Sequence, residues 1–372
     1  MSNKTNIINN ILLLVGFLAS VLVVVLVGGF LVPLGNKSYL TLLSVPVFIL
    51  INTFFHEIAH VISGKNNGFK TISFKILGFR FRKVDGKTKS NYVGIGEQIG
   101  EAEIIPVETD NLKNRYKNVA KAGIIANFIV TILSIALLVF WKIYIKDVTQ
   151  YNNIWFYLTA FALPISVYFL LCNALPMSND LNRNDGAYIY GINNNEPEVT
   201  VMFSLMEAHA LIYQGLTPSQ VPEDLYFNVP QIREDDPIFI VLLNNRYCYY
   251  LDKGDYKNAK ITLKRLEELS DFIPKYMYAE IQTELLFAYS SFMLDEDTAD
   301  DIFEDNDKYL NKVLSVNTLR AKIAYLKNVI KDDNLCEEFY QKALQLADEI
   351  EVKGLSLYEK KILTNFNDGL IV

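Results

Sequence analysis

Four stretches of the chain keep apolar residues going for more than twenty positions, at 9–34, 39–63, 122–145 and 154–175. Crossing ~30 Å of hydrocarbon takes roughly 20 helical residues, so each stretch predicts a membrane-spanning helix. The first run exceeds the ~7–15 residues of a cleavable signal core, and no small-x-small site precedes Pro33, so it is expected to be retained. Between the second and third runs the period changes. Residues 69–84 alternate apolar and polar (Ile72, Phe74, Ile76, then Phe79 and Phe81), with a phase slip at Leu77-Gly78 and the turn dipeptide Asp85-Gly86 after them. Short strands beside the membrane are predicted, with a bulge at the slip. They form either a plain surface sheet or an edge that receives an extended peptide. After Glu196-Pro197 the chain turns polar, with apolar residues at helical spacing over 243–269, 276–294 and 321–350, the last broken near Asp332-Asp333.

Composition sharpens this picture. With 372 residues, 51% hydrophobic and 21% charged, the chain is too apolar for an ordinary soluble protein or a disordered one. Three cysteines (Cys172, Cys248 and Cys336) without CxxC spacing exclude a disulfide scaffold and an all-cysteine zinc site. Residues 1–195 hold 17 basic and 10 acidic residues (net +7), and 196–372 hold 18 and 32 (net −14). Twelve of the basic residues lie in 65–121, whereas the first connection has only Lys37 and the last only Lys142 and Lys146. The positive-inside rule therefore sends the 65–121 loop, the N-terminus and everything after Leu175 to the cytoplasm. A domain of net charge −14 repels phosphates, which argues against nucleic acid. Eight acids within 295–307 are expected to form a solvated loop, or else a partner-docking patch. Gly254-x-Tyr256-x-x-Ala259 is similar to a tetratricopeptide repeat turn, although the full signature and regular period are absent. Such arrays form concave surfaces for a cytosolic protein partner.

The expected fold is mainly α: a polytopic membrane helical bundle of four spans, a small membrane-associated β segment, and a C-terminal cytosolic helical repeat-like domain. The expected divisions are 1–38 (an extra N-terminal span), 39–195 (the core) and 196–372. The lack of targeting extensions leads us to expect a bacterial source and a cell-membrane location.

The second apolar run ends in Phe54-Phe55-His56-Glu57-Ile58-Ala59-His60. Histidines at i and i+4 share one helical face and can reach one metal, while the Glu between them can take a proton from water there. Ionisable residues inside a membrane helix are costly and default to function. A catalytic zinc needs a third protein ligand. The remaining histidine, His209, fits an ordinary helix-surface or core position. Asp180 and Asp185, which closely follow the fourth run, are the better candidates. A metalloprotease with a downstream Glu as third ligand would need that Glu on a later span, and the third and fourth spans hold none.

These residues resemble the site-2 protease family of intramembrane zinc metallopeptidases. His56-Glu57-x-x-His60 is similar to the family's first motif, Asn173-x-x-Pro176 followed by Asp185-Gly186 to its second, and Ala122-Gly123-x-x-x-Asn127 to its intervening helix. The three motifs occur in the family's order and cover about residues 40–192. Ile124 stands where Pro is common, the Asn173-to-Asp185 gap is about four residues longer than the motif's, and Ala187 replaces a second glycine. The shorter family spacing would suit Asp180, but Gly186 favours Asp185 by permitting a tight backbone approach. The resemblance implies Zn2+ held by His56, His60 and Asp185, with Glu57 as general base and then proton donor. It also implies Asn127 and Asn173 as amides for the substrate carbonyl or oxyanion, or alternatively as helix caps or interhelical bonds. Pro164 is expected to kink the fourth span. The implied activity is hydrolysis of membrane-embedded or membrane-bound peptides. The alternative from another class is a non-catalytic membrane scaffold with a structural zinc and a partner-binding helical domain; a structural site, however, has no use for Glu57.

Overall fold

A computed structural model of the chain describes residues 3–28, 40–84, 87–94, 99–144, 150–178, 183–332 and 335–371. The chain divides into two compact units, one of 1–106 with 110–196 and one of 107–109 with 197–372.

The first unit contains helices α1 (Asn3–Gly28), α2 (Leu40–Asn66), α3 (Leu112–Tyr144), α4 (Gln150–Thr159), α5 (Ala162–Ala174) and α6 (Asp185–Asn194). Among the described residues four helical segments are long and apolar enough to cross a membrane: Asn6–Val27, Leu40–Asn66, Leu112–Ile143 and Ile154–Ala174. Their apolar side chains point outward. Ile8, Leu12, Leu133 and Ile143 are exposed, whereas Asn9, Asn52, Asn127 and Ser166 are buried. This inverts a soluble core and is the arrangement that lipid rewards, because polar groups must find partners inside the bundle. The unit is thus a polytopic membrane bundle. The fourth span is two helical pieces, α4 and α5, rather than one continuous helix. Pro164 stands in the first turn of α5, where its missing N–H breaks no helical bond and its ring would clash with a continuing turn.

Between α2 and α3 lies an open antiparallel sheet of β1 (Phe69–Ile76), β2 (Phe79–Val84), β3 (Lys87–Tyr92) and β4 (Gly100–Pro106), in the order β3-β2-β1-β4. The phase slip at Leu77-Gly78 is a two-residue hairpin turn, not a bulge: Leu77 (φ 50°) and Gly78 (φ 81°) both take the left-handed conformation of such turns. The register irregularity falls instead at Thr71/Ser73, between β1 and β4. Asp85-Gly86 lies outside the described residues. The 69–84 stretch supplies the two interior strands β1 and β2, and the edge strand that packs on α2 is β4.

The second unit is helical. It comprises α7 (Pro197–Gln214), the single turn α8 (Asp224–Phe227), α9 (Pro237–Lys253), α10 (Tyr256–Glu268), α11 (Lys275–Ser290), α12 (Glu296–Lys312), α13 (Val316–Tyr325), α14 (Cys336–Asp348) and α15 (Lys353–Asn367). At the α9–α10 junction Gly254 takes φ 76° and Asp255 caps α10, which accounts for the repeat-like turn. The α15 helix packs back on α7 and α9, and at Gly354 a Cβ would meet the Leu216 carbonyl oxygen at 2.0 Å. The acidic run 295–307, expected as a loop, is helical: it caps and opens α12. Ala299, Ile302 and Leu310 are buried at helical spacing beneath the acidic face, and acids in the first turn suit the helix N-terminus.

Candidate metal centre

His56 and His60 lie four residues apart on α2, one turn of helix, so their rings emerge on the same face. That face meets α3 at Gly123. A Cβ there would sit 2.5 Å from His56 Cε1 and 2.6 Å from His60 Nε2, so only glycine lets the two helices close over the imidazoles. Asp185 arrives from the first residue of α6. The turn before it brings Gly186 so close to the end of α5 that a Cβ would meet the Ala174 carbonyl oxygen at 2.5 Å.

The ligand atoms of His56, His60 and Asp185 all lie within 4.8 Å of one another. Asp185 Oδ2 is 3.4 Å from His56 Nε2 and 3.3 Å from His60 Nε2, and the two Nε2 atoms are 3.0 Å apart. The tautomers follow from the far side of each ring. His60 Nδ1 is 2.9 Å from the Val119 carbonyl, which can only accept, so Nδ1 carries the hydrogen. His56 Nδ1 is 2.7 Å from Asn127 Oδ1, which also accepts from Asn173 Nδ2 at 3.1 Å. In the neutral rings both Nε2 atoms therefore present lone pairs to each other and to Asp185 Oδ2, a buried oxygen with no hydrogen-bond partner. Three electron-rich atoms converging on one point repel unless a proton or a metal cation sits among them, so the cluster can accept a metal in place of a proton. The donor set of two imidazoles and a carboxylate suits zinc, and the Nδ1 bonds to a carbonyl and an amide are the outer support such ligands need.

Glu57 is also buried, and it faces β4. A Cβ on Gly100 would fall 2.4 Å from Thr53 Cγ2 and 2.8 Å from Glu57 Cγ, so the edge strand lies directly against the carboxylate, which accepts from the Ala102 N–H. Behind His56 runs a chain of amides and hydroxyls. Asn127 Nδ2 reaches the Asn52 carbonyl at 3.4 Å, Asn52 Nδ2 reaches Ser166 Oγ at 3.1 Å, and Ser166 Oγ lies 3.0 Å from Ser134 Oγ. Asn173 Nδ2 contacts both Asn127 Oδ1 and the Phe169 carbonyl (3.0 Å), so its N–H bonds are engaged within the bundle.

The structure thus brings together five of the residues singled out by sequence, with Asn173 joined through Asn127. Asp180 lies outside the described residues. His209 falls on α7, exposed, in the other unit. The motif reading passed over Asn184, Asn52 and the α1 asparagines. Asn184 carried one usable signal, an asparagine directly before Asp185-Gly186-Ala187 in the position of a helix N-cap. The others act through contacts between distant segments and left no local mark.

The fold and site together define a polytopic membrane protein with a buried His/His/Asp cluster able to hold a metal ion. Comparison with protein-family profiles, with curated proteins and with solved structures finds no match for this chain.

Proposed function

We propose that the protein is an intramembrane zinc endopeptidase of the site-2 protease type, acting on membrane-embedded or membrane-bound peptides. The observation that carries this reading is the convergence of His56 Nε2, His60 Nε2 and Asp185 Oδ2 beside a buried, non-ligating Glu57. Zinc held by those three residues would supply Lewis acidity for an attacking water and for the scissile carbonyl. Glu57 takes the proton of the attacking water and passes it to the leaving amine. Asn127 holds the Nδ1–H tautomer of His56, and Asn173 braces Asn127 from α5. Asn173 is the member of the pair that can exchange its bond to the Phe169 carbonyl for one to the substrate carbonyl oxygen.

A substrate helix must unwind before its carbonyls can be attacked. The edge of β4 beside Glu57 offers the unwound segment backbone partners, and the helical unit serves as a cytosolic docking or regulatory domain of tetratricopeptide-like build. The test is cleavage of a membrane peptide by purified protein. Glu57→Gln should lower turnover at least ~100-fold, as loss of a general base does, while about one zinc per chain is retained. Undiminished cleavage in that variant, or wild-type protein that binds no zinc, would sink the proposal.

A further inference from the structure

The proposed third ligand differs from the other two in how it is held. His56 and His60 ride on a long helix, whereas Asp185 follows the segment that leaves the end of α5, a place where helix carbonyls lack intrahelical partners and lipid offers none. One side chain answers for most of that segment. Asn184 Nδ2 donates to the Cys172 carbonyl at 2.5 Å and the Leu175 carbonyl at 2.7 Å. Its Oδ1 accepts from Met177 N at 3.1 Å and from Ala187 N at 2.8 Å, the latter as N-cap of α6. Every strong donor and acceptor position of the amide is used. The main chain closes the same loop, with Asn184 N on the Met177 carbonyl and a bridge between Ser178 and Arg183.

The helix outside the three motif-bearing spans completes the arrangement. Asn9 Nδ2 of α1 donates to the Pro176 carbonyl at 2.6 Å, and Asn6 Nδ2 donates to the Ser178 carbonyl at 2.8 Å. Ser178 N returns a bond to Asn6 Oδ1 at 3.4 Å. Asn9 is buried on a helix whose neighbouring apolar residues face outward, so α1 turns its amides toward this segment and its leucines toward lipid.

We propose that Asn184 is a positioning residue for the metal centre, and that Asn6 and Asn9 make α1 a latch on the same segment, so that both act on metal affinity through Asp185. The inference rests on the zinc-site reading above. It also bears on the long Asn173-to-Asp185 gap, because Met177 and Asn184 are hydrogen-bonded to each other directly before the carboxylate.

The test is zinc affinity, measured by competition with a chromophoric chelator on the full chain in detergent. Asn184→Ala should weaken zinc ~10–100-fold, the usual cost of removing outer support from a ligand, and the double variant Asn6→Ala/Asn9→Ala should weaken it in the same direction. In an Asp185→Ala background neither change should weaken zinc further, a non-additivity that general destabilisation would not produce. Unchanged affinity in the single-background variants, or an equal loss with and without Asp185, would overturn the proposal. Should Asn184→Ala fail to fold, the α1 double variant decides by the same two comparisons. Wild-type protein that binds no zinc would instead remove the underlying site, a result separable from failure of the latch alone.

Discussion

At the scale of single residues, the centre depends on what is missing as much as on what is present. His56, Glu57 and His60 were legible in the sequence because an i, i+4 pair is a local relation that helix geometry alone turns into a shared face. Gly123 was legible only as part of a motif; its role lies in a contact with a helix some sixty residues earlier in the chain. The structure puts a number on that contact. A methyl at Gly123 would stand 2.5–2.6 Å from both imidazoles, closer than real Cβ atoms approach anything, and these neighbours are rings held at Nδ1 rather than free side-chain ends. Gly123→Ala should therefore push α3 off α2 and lower zinc affinity by at least ~10-fold, with membrane insertion intact. Gly254→Ala is the control: nothing lies near its Cβ, and only its φ of 76° is strained, so the change should cost about 1 kcal/mol in the helical unit and leave zinc alone. Metal content of the two purified variants checks both statements, and full zinc in Gly123→Ala would contradict the first.

At the scale of elements, the second unit is joined by a buried ionic group that no sequence pattern announced. Arg320 of α13 is almost fully buried. It pairs with Glu284 of α11 at 2.5 Å and lies 3.4 Å from Glu359 of α15, without a hydrogen bond to the latter. Tyr247 of α9 donates to Glu284 at 3.1 Å, and Phe287 lies under the guanidinium at 4.6 Å. Four helices thus meet at one cation, but two carboxylates share it. Burial raises the carboxyl of Glu359 to about 7, with Arg320 opposing the shift and Glu284 adding to it. The folded state therefore keeps this proton up to about pH 7, whereas the unfolded chain releases it near its ordinary value of 4.5. The contribution is full below 4.5 and is lost as pH rises through 7. Glu359→Gln should flatten that dependence and protect α15 at pH 8 by roughly 2–3 kcal/mol, the order expected of a shift of this size. Arg320→Met should do the reverse, leaving two buried acids uncompensated. Hydrogen exchange in peptides covering Lys353–Asn367 reads both; a Glu359→Gln profile as pH-dependent as wild type would refute the assignment. The elements themselves were readable where periodicity was strong. At 295–307 the density of charge masks a helix whose spacing is present in the sequence, with Ala299, Ile302 and Leu310 on one buried stripe. At Leu77-Gly78 a bulge and a chain reversal leave the same change of phase in the sequence, and here the chain reverses, with Ile76 paired to Phe79.

At the scale of the whole molecule, the charge along the chain and the span count together predict an orientation that can be tested. Among the described residues four helical segments fit a membrane crossing, and an even number of crossings would bring the two ends of the chain to the same side. The connection between the second and third carries twelve Lys and Arg against one in the first and two in the last. Orientation follows Lys and Arg in short loops near the spans, and Asp and Glu contribute little, so the acidic second unit does not oppose the choice. The same placement serves the proposed chemistry. Lys65 follows His60 by five residues, which sets the two histidines near the end of α2 that leads into the basic loop, where water would enter most easily. We expect reporters fused after residue 100 and at the C-terminus to read cytoplasmic, and a reporter in the 145–149 connection to read outside. Replacing Arg80, Arg82, Lys83 and Lys89 with glutamine while adding four lysines to the first connection should shift a measurable share of molecules to the opposite orientation. A 65–121 loop that reads outside in wild type would overturn the orientation, and would set the proposed cleavage on the other face of the membrane.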